Sequence, residues 1–191
     1  HPAAAGPDGV HLPLGIEGDG LGVAMARLRP GQPFVVCGAP GSGRTTALAV
    51  LRASALAAGC AVAEAGPHLE RLVAERSEEG GPWRPPLVVI VDDADRVDDP
   101  AGALAALAAG GHPMAHLVAA APPEAVRASF GHWTTGLRRW GHGLVLRPRS
   151  DLDGDVLGIP LLPRGPVSLT GVGRGVLVTA GEAVPVQVAT P

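Results

Sequence analysis

The chain has 191 residues and a formal net charge of -3, one domain's worth of sequence with no overall electrostatic reason to bind nucleic acid or anionic membrane. Glycine and proline number 28 and 20, a share that raises the question of low complexity, but a hydrophobic fraction of 46% argues against disorder. Two cysteines exclude a disulfide framework, and no unbroken apolar stretch of about 20 residues is present to span a bilayer.

Residues 1–20 are rich in Gly, Pro and Ala and read as a linker or irregular lead-in, leaving 21–191 as the domain proper. The chain opens on His1 rather than Met, as expected of a segment of a longer protein. A short strand is expected over 21–28 and a buried one over 34–37, where Val35 and Val36 are β-branched. Helical spacing of Ala47, Leu48, Leu51 and Leu56 predicts a helix over 45–58. A second strand over 60–63, a short helix over 68–76 and a Gly/Pro-rich loop over 77–86 follow. Residues 87–91, Leu-Val-Val-Ile-Val, are apolar on both faces, as a central parallel strand should be. Then come a helix over 100–109, a buried strand over 116–121, a short helix over 123–130 and a strand over 144–146. Residues 151–165 read as irregular, and 176–179 with 184–188 read as a β-hairpin. Strands alternating with helices imply an α/β fold, a mainly parallel sheet flanked by helices, with the hairpin at its C-terminal end. The core must be built from Ala, Val and Leu, since there are only three Trp, two Phe and no Tyr.

The strand over 34–37 runs into Gly38-Ala39-Pro40-Gly41-Ser42-Gly43-Arg44-Thr45-Thr46 and then a helix. This is the spacing of a phosphate-binding loop in the required strand-loop-helix setting. Glycines let backbone N–H groups curl around phosphate oxygens, and the following helix aims its positive end at them. The Thr45 hydroxyl is placed to ligate Mg. One position departs from the pattern: Arg44 stands where lysine is expected, and a planar guanidinium preserves anion attraction while altering transition-state geometry. The alternative is a glycine-rich turn that holds no ligand.

The strand over 87–91 ends in Asp92-Asp93, which puts both acids at the carboxyl edge of the sheet, where α/β proteins bind ligands. Asp92 would hold the Mg shell. Asp93 stands where many ATPases keep a glutamate that polarises the attacking water, and it is one methylene, about 1.5 Å, too short for that reach. Arg44 and Asp93 are the candidate catalytic pair. A helix cap is the alternative role for these acids.

The segments Phe34-Val-Val-Cys-Gly-Ala-Pro-Gly-Ser-Gly-Arg-Thr-Thr, Val89-Ile-Val-Asp-Asp-Ala-Asp, Trp133-Thr-Thr-Gly-Leu-Arg-Arg, Asp153-Gly-Asp-Val-Leu-Gly and Gly173-Arg-Gly-Val-Leu-Val resemble the FtsK/SpoIIIE family. The likeness is greatest to the last ATPase module of its actinobacterial multi-module members, which include type VII secretion motors, and it runs from about residue 14 to 189. The resemblance implies a RecA-like P-loop module using ATP and Mg, neighbouring ATPase modules in the same longer chain, and a hexameric ring in the full-length protein. It also implies a cytoplasmic position within a membrane-associated protein, with no direct membrane contact by this segment. Its cargo is an exported protein or, less in keeping with the acidic balance, double-stranded DNA. The departures at Arg44 and Asp93 point to a module that holds nucleotide weakly or statically, with docking of a substrate or partner as the alternative. Arg138, Arg139, Arg164 and Arg174 are candidates for an arginine finger or interface, with Arg174, flanked by glycines, and Arg139 foremost; a solvated surface charge is the alternative for each.

His112 and His116 have no acidic partner to complete a zinc site. The Asp151-x-Asp153-Gly-Asp155 run lacks the later glycine and glutamate of a calcium loop. Trp133 and Trp140 are expected to pack a subdomain or inter-module face, and Trp83, Trp133 and Trp140 show no basic interleaving for base stacking.

Overall fold

The computed structural model describes residues 4–6, 8–18, 20, 22–77, 85–160, 169, 171–179 and 181–190. In chain order its elements are β1 (Ala4–Gly6), β2 (Gly9–Glu17), β3 (Val23–Leu28), β4 (Phe34–Gly38), α1 (Arg44–Ala57), β5 (Ala61–Glu64), α2 (Leu69–Ser77) and β6 (Leu87–Val91). After a short 3-10 turn, Ala94–Arg96, come α3 (Ala103–Ala108), β7 (Ala115–Ala121), α4 (Pro123–Ala128) and a 3-10 helix, Trp133–Arg139. The chain then forms β8 (Gly143–Leu146), a 3-10 helix at Asp151–Leu157, β9 (Arg174–Thr179) and β10 (Glu182–Val188).

The strands lie in the order β1-β2-β10-β9-β8-β4-β7-β6-β5, with β3 paired to the other side of β2. β8, β4, β7, β6 and β5 are mutually parallel. β9, β10 and β2 continue the sheet antiparallel. Every residue of β4, β6, β7 and β8 is buried, because helices cover both faces of the parallel part. On one face Ala47, Leu48, Leu51 and Ala55 of α1 pack on Val36, Val88, Ile90, Val118 and Ala120. On the other, Leu104, Leu107, Val126, Trp133 and Leu137 pack on Val35, Cys37, Val89, Leu117 and Ala119. Trp133 Nε1 donates to the Val97 carbonyl (2.7 Å) and Trp140 Nε1 to the Ala108 carbonyl (3.0 Å), so both indoles tie subdomain segments together.

Residues 1–20, expected as an irregular lead-in, contain β1 and the nine-residue strand β2 instead. Val10, Leu12 and Leu14 alternate along β2 and are fully buried in the α1-side core, the period of two that a half-buried strand requires. Pro13 is tolerated because the β2–β3 register shifts between Pro13 and Gly15, and a bulge is where a missing N–H does least harm. Gly15 is required by β10, since a Cβ there would overlap the backbone carbonyl of Gln187. Residues 151–157, expected as irregular, form a 3-10 helix opened by a capping box between Ser150 and Asp153. Asp153 also accepts from Arg149 N (2.7 Å), a structural use for the acid-rich run.

Candidate functional site

Because β4, β6 and β8 are parallel, the residues that follow them emerge along one edge of the sheet. That edge gathers the 38–43 loop, Asp92 with Asp93, and Arg147. Gly38 is the last residue of β4, and its fully buried environment has no room for a Cβ, which would collide with Ser42 Oγ. Gly43 (φ 103) turns the chain into α1 in a conformation that favours glycine. Having no side chain, it leaves the first N–H groups of a 14-residue helix without a side-chain cap. Ser42 is 1% exposed, and its Oγ is buried with no hydrogen-bond partner. An uncapped helix start beside an orphaned hydroxyl fits a loop shaped for an anionic group.

Thr45 Oγ1 donates to Asp92 Oδ2 at 2.7 Å, so the two oxygens that the sequence analysis assigns to Mg do meet. Asp92 Oδ1 accepts from the Asp93 N–H (2.9 Å), which fixes the carboxylate plane. Asp93 adopts φ 43, ψ 48, a left-handed conformation uncommon for a residue with a side chain. Its side chain makes no capping bond to the 3-10 turn that follows.

Arg44 and Asp93, the two departures from the phosphate-loop pattern, are bonded to each other. Arg44 Nη2 lies 2.6 Å from Asp93 Oδ1, and Nη1 donates to the Gly38 carbonyl at 2.9 Å. The Arg44 side chain is only 12% exposed against 50% for Asp93, so the guanidinium is folded in under the loop. The planar guanidinium makes this possible by offering a separate nitrogen to each partner; a lysine carries its three donors on one nitrogen and has no such fork.

Arg147, which the sequence analysis did not single out, adds a cation to the same edge. It follows β8 directly, has φ 45, and its Nη1 is 3.4 Å from the Gly41 carbonyl. The available signal was an arginine just past a buried four-residue strand, the placement that Asp92 has after β6. The antiparallel strands also reach the loop: Gly173 N donates to Ser42 O (2.9 Å), and Val188 N to Gly173 O (2.8 Å). Arg174 is thereby held next to the loop, with Nε 3.2 Å from Gln187 Oε1. Arg139 is not brought there. It precedes β8, whose Gly143 pairs with Val35, so it sits towards the opposite edge. Arg164 and Trp83 lie outside the described residues. β7, between β4 and β6, ends at Ala121, and the first charged side chain after it is Glu124 of α4, whose carboxylate opposes ionisation of the Cys37 thiol.

A cavity of about 430 Å³ adjoins the Thr45–Asp92 pair, lined by Leu48, Ala49, Ile90 and Val97, with Arg52 and Glu64 ion-paired at its rim. Beneath the loop, burial pushes the Cys37 thiol up to about 12 despite the opposing charge of Arg44. Among the described residues no group of three or more His, Cys, Asp or Glu is arranged to hold a metal, and no helix is long and apolar enough to cross a membrane.

No protein-family profile and no curated protein matches the chain. Solved structures do. ATPases 2 and 3 of EssC from Geobacillus thermodenitrificans superpose with a TM-score of 0.77 at 14% identity, over 100% of this chain and 42% of theirs. The cytoplasmic domain of the type VII secretion ATPase EccC from Thermomonospora curvata gives 0.69 at 20% identity, over 98% of this chain and 27% of its own. The conjugation coupling protein TcpA of pCW3, determined with ATPγS, gives 0.60 at 14% identity, over 94% of this chain and 66% of TcpA. The chain therefore has the fold of an EccC/FtsK-SpoIIIE-like P-loop ATPase module, and it spans less than half the length of the EssC and EccC structures.

Proposed function

We propose that this chain is a nucleotide-binding module of an FtsK/SpoIIIE-type motor serving protein export, and that it holds Mg-ATP statically with weak or no hydrolysis. The reading is carried by the Arg44–Asp93 ion pair. In the proposed complex the backbone N–H groups of residues 38–46 cradle the phosphates, Ala39 and Pro40 shape the loop, and Thr45 with Asp92 holds Mg. The Mg ion would neutralise charge between the phosphates. Arg44 can reach a phosphate only by leaving Asp93. Asp93, shortened and held by a guanidinium, is poorly placed to orient a water. Arg147 is positioned to supply charge from β8.

The test is a calorimetric titration with Mg-ATP beside Arg44→Ala. Saturable binding that the variant loses is the expected result; no binding at millimolar ATP overturns the reading. Arg44→Lys combined with Asp93→Glu should restore some hydrolysis, and no gain removes the account of the defect.

The alternative is a module that docks a partner or substrate. The cavity beside Thr45 supports it, as does likeness to the T. curvata EccC fragment, ATPases 2 and 3, solved in complex with a signal sequence peptide (TM-score 0.66, 19% identity). Peptide binding indifferent to ATP would favour it. Neighbouring ATPase modules of a longer chain are the partners that the two-ATPase fragments of EssC and EccC suggest, and a ring of full-length chains is the assembly we propose from the family resemblance. DNA translocation would be revived by DNA binding that falls steeply with salt.

A further inference from the structure

At the edge opposite the phosphate loop, β2, β3 and the turn into β4 enclose a cavity of about 560 Å³ lined by Asp8, His11, Arg27, Arg29, Pro30 and Gln32. We propose that His11, Arg27, Arg29 and Gln32 form a second anion site, separate from the phosphate loop, that takes a phosphoryl group.

The placement follows from the ladder. His11 is directly opposite Arg27 in the β2–β3 register, so the two side chains share a face. Arg29 is two residues beyond Arg27, about 7 Å along the backbone, and both line the cavity. Leu28 between them is buried on the other side. Gln32 is brought round by a turn in which its N–H donates to Arg29 O (3.1 Å).

The backbone beneath the arginines is anchored from inside. His116 Nδ1 lies 3.3 Å from the Arg29 carbonyl, and His142 Nε2 bonds the Arg27 carbonyl. Both histidines are buried, so the strand carrying the cations is fixed to the parallel sheet. Among the described residues neither Arg27 nor Arg29 forms an ion pair. Two guanidiniums lining one cavity without an ion pair repel each other, Asp8 at the rim offsets this only in part, and an anion between them removes it.

The donor count selects the ligand. A carboxylate has two oxygens with about four acceptor sites. Two forks, an imidazole and an amide exceed that, and match a group with three or four oxygens. Asp8, exposed on the rim, opposes any anion. Gln32 leads straight into β4, so the site lies a strand length, about 17 Å, from the phosphate loop and does not depend on the function proposed for that loop.

The chain has two glutamines, Gln32 and Gln187, and no asparagine. Its side-chain amide NMR spectrum thus holds one probe in the proposed site and one beside the phosphate loop. Inorganic pyrophosphate, titrated at constant ionic strength, should shift the Gln32 amide saturably, in the wild type and in Arg44→Ala alike. Arg27→Met combined with Arg29→Met, which adds no side-chain amide, should weaken this at least roughly tenfold while the Gln187 amide keeps its native position, which reports folding. Asp8→Ser should tighten it. A second arm uses vesicles of phosphatidylcholine with and without phosphatidic acid: binding to the acidic vesicles that the double variant loses, with no response to pyrophosphate, assigns the phosphoryl group to a lipid headgroup. A silent Gln32 together with no preference for the acidic vesicles overturns the proposal, and so does a shift or vesicle binding that survives in the double variant.

Discussion

Arg44 shows how one side chain can tie two segments together. Its guanidinium spans Gly38 O and Asp93 Oδ1, so in the proposed complex the loop's one cation starts out bound to an acid rather than to a phosphate. Asp93→Asn should release it: Mg-ATP affinity is expected to rise about fivefold, the equivalent of about 1 kcal/mol for a half-exposed pair, and a calorimetric affinity that stays the same or weakens counts against the pairing. Ser42→Ala removes a buried hydroxyl without a partner, so the ligand-free protein should become more stable by about 1 kcal/mol, read from denaturant midpoints; a loss of stability would mean the hydroxyl is satisfied in solution. Cys37, buried and with its thiol pushed up to about 12, should react with a thiol reagent only as fast as the protein opens. Labelling at the rate of an exposed thiol would contradict that burial.

At the scale of elements, β2 and the β9–β10 pair do what the parallel strands alone cannot. They continue the sheet and reach the phosphate loop through Gly173 and Ser42. Gly15→Ala tests β2, because the new Cβ would meet backbone rather than a movable side chain. A loss of about 1–3 kcal/mol or more is expected in urea unfolding, and a neutral result would mean that residues 9–17 do not pair with β10. The β4, β6 and β7 strands were legible because continuous apolar runs of five residues admit few other readings. β2 was not, because Gly and Pro are loop residues unless a bulge and a close approach give each a place, and both depend on strands far away in sequence.

Across the whole molecule, three buried histidines join the β2–β3 side to the parallel sheet and to the segment before β7. Burial holds His112, His116 and His142 below the ordinary value of 6.5. In the unfolded chain they take up protons near that value, and in the native state only at lower pH. As pH falls through 6.5 the unfolded state therefore binds more protons, and stability declines. The urea midpoint should be level above about pH 7 and drop below about pH 6.5, with a shallower drop in His142→Gln. A flat midpoint down to about pH 5 would show that these imidazoles titrate alike in both states.

Sequence alone determined the parallel α/β core, the phosphate-loop spacing and the acids at the end of β6, because each is written in a contiguous run whose period or spacing has few physical alternatives. Only the tertiary structure decided that Arg44 and Asp93, 49 positions apart, bond to each other, that Arg147 joins them while Arg139 does not, and that residues 9–17 form a strand. It also decided that His11, Arg27, Arg29 and Gln32 share one cavity. These are contacts between segments, set by strand order and register, and local pattern carries no record of which segment will lie beside which.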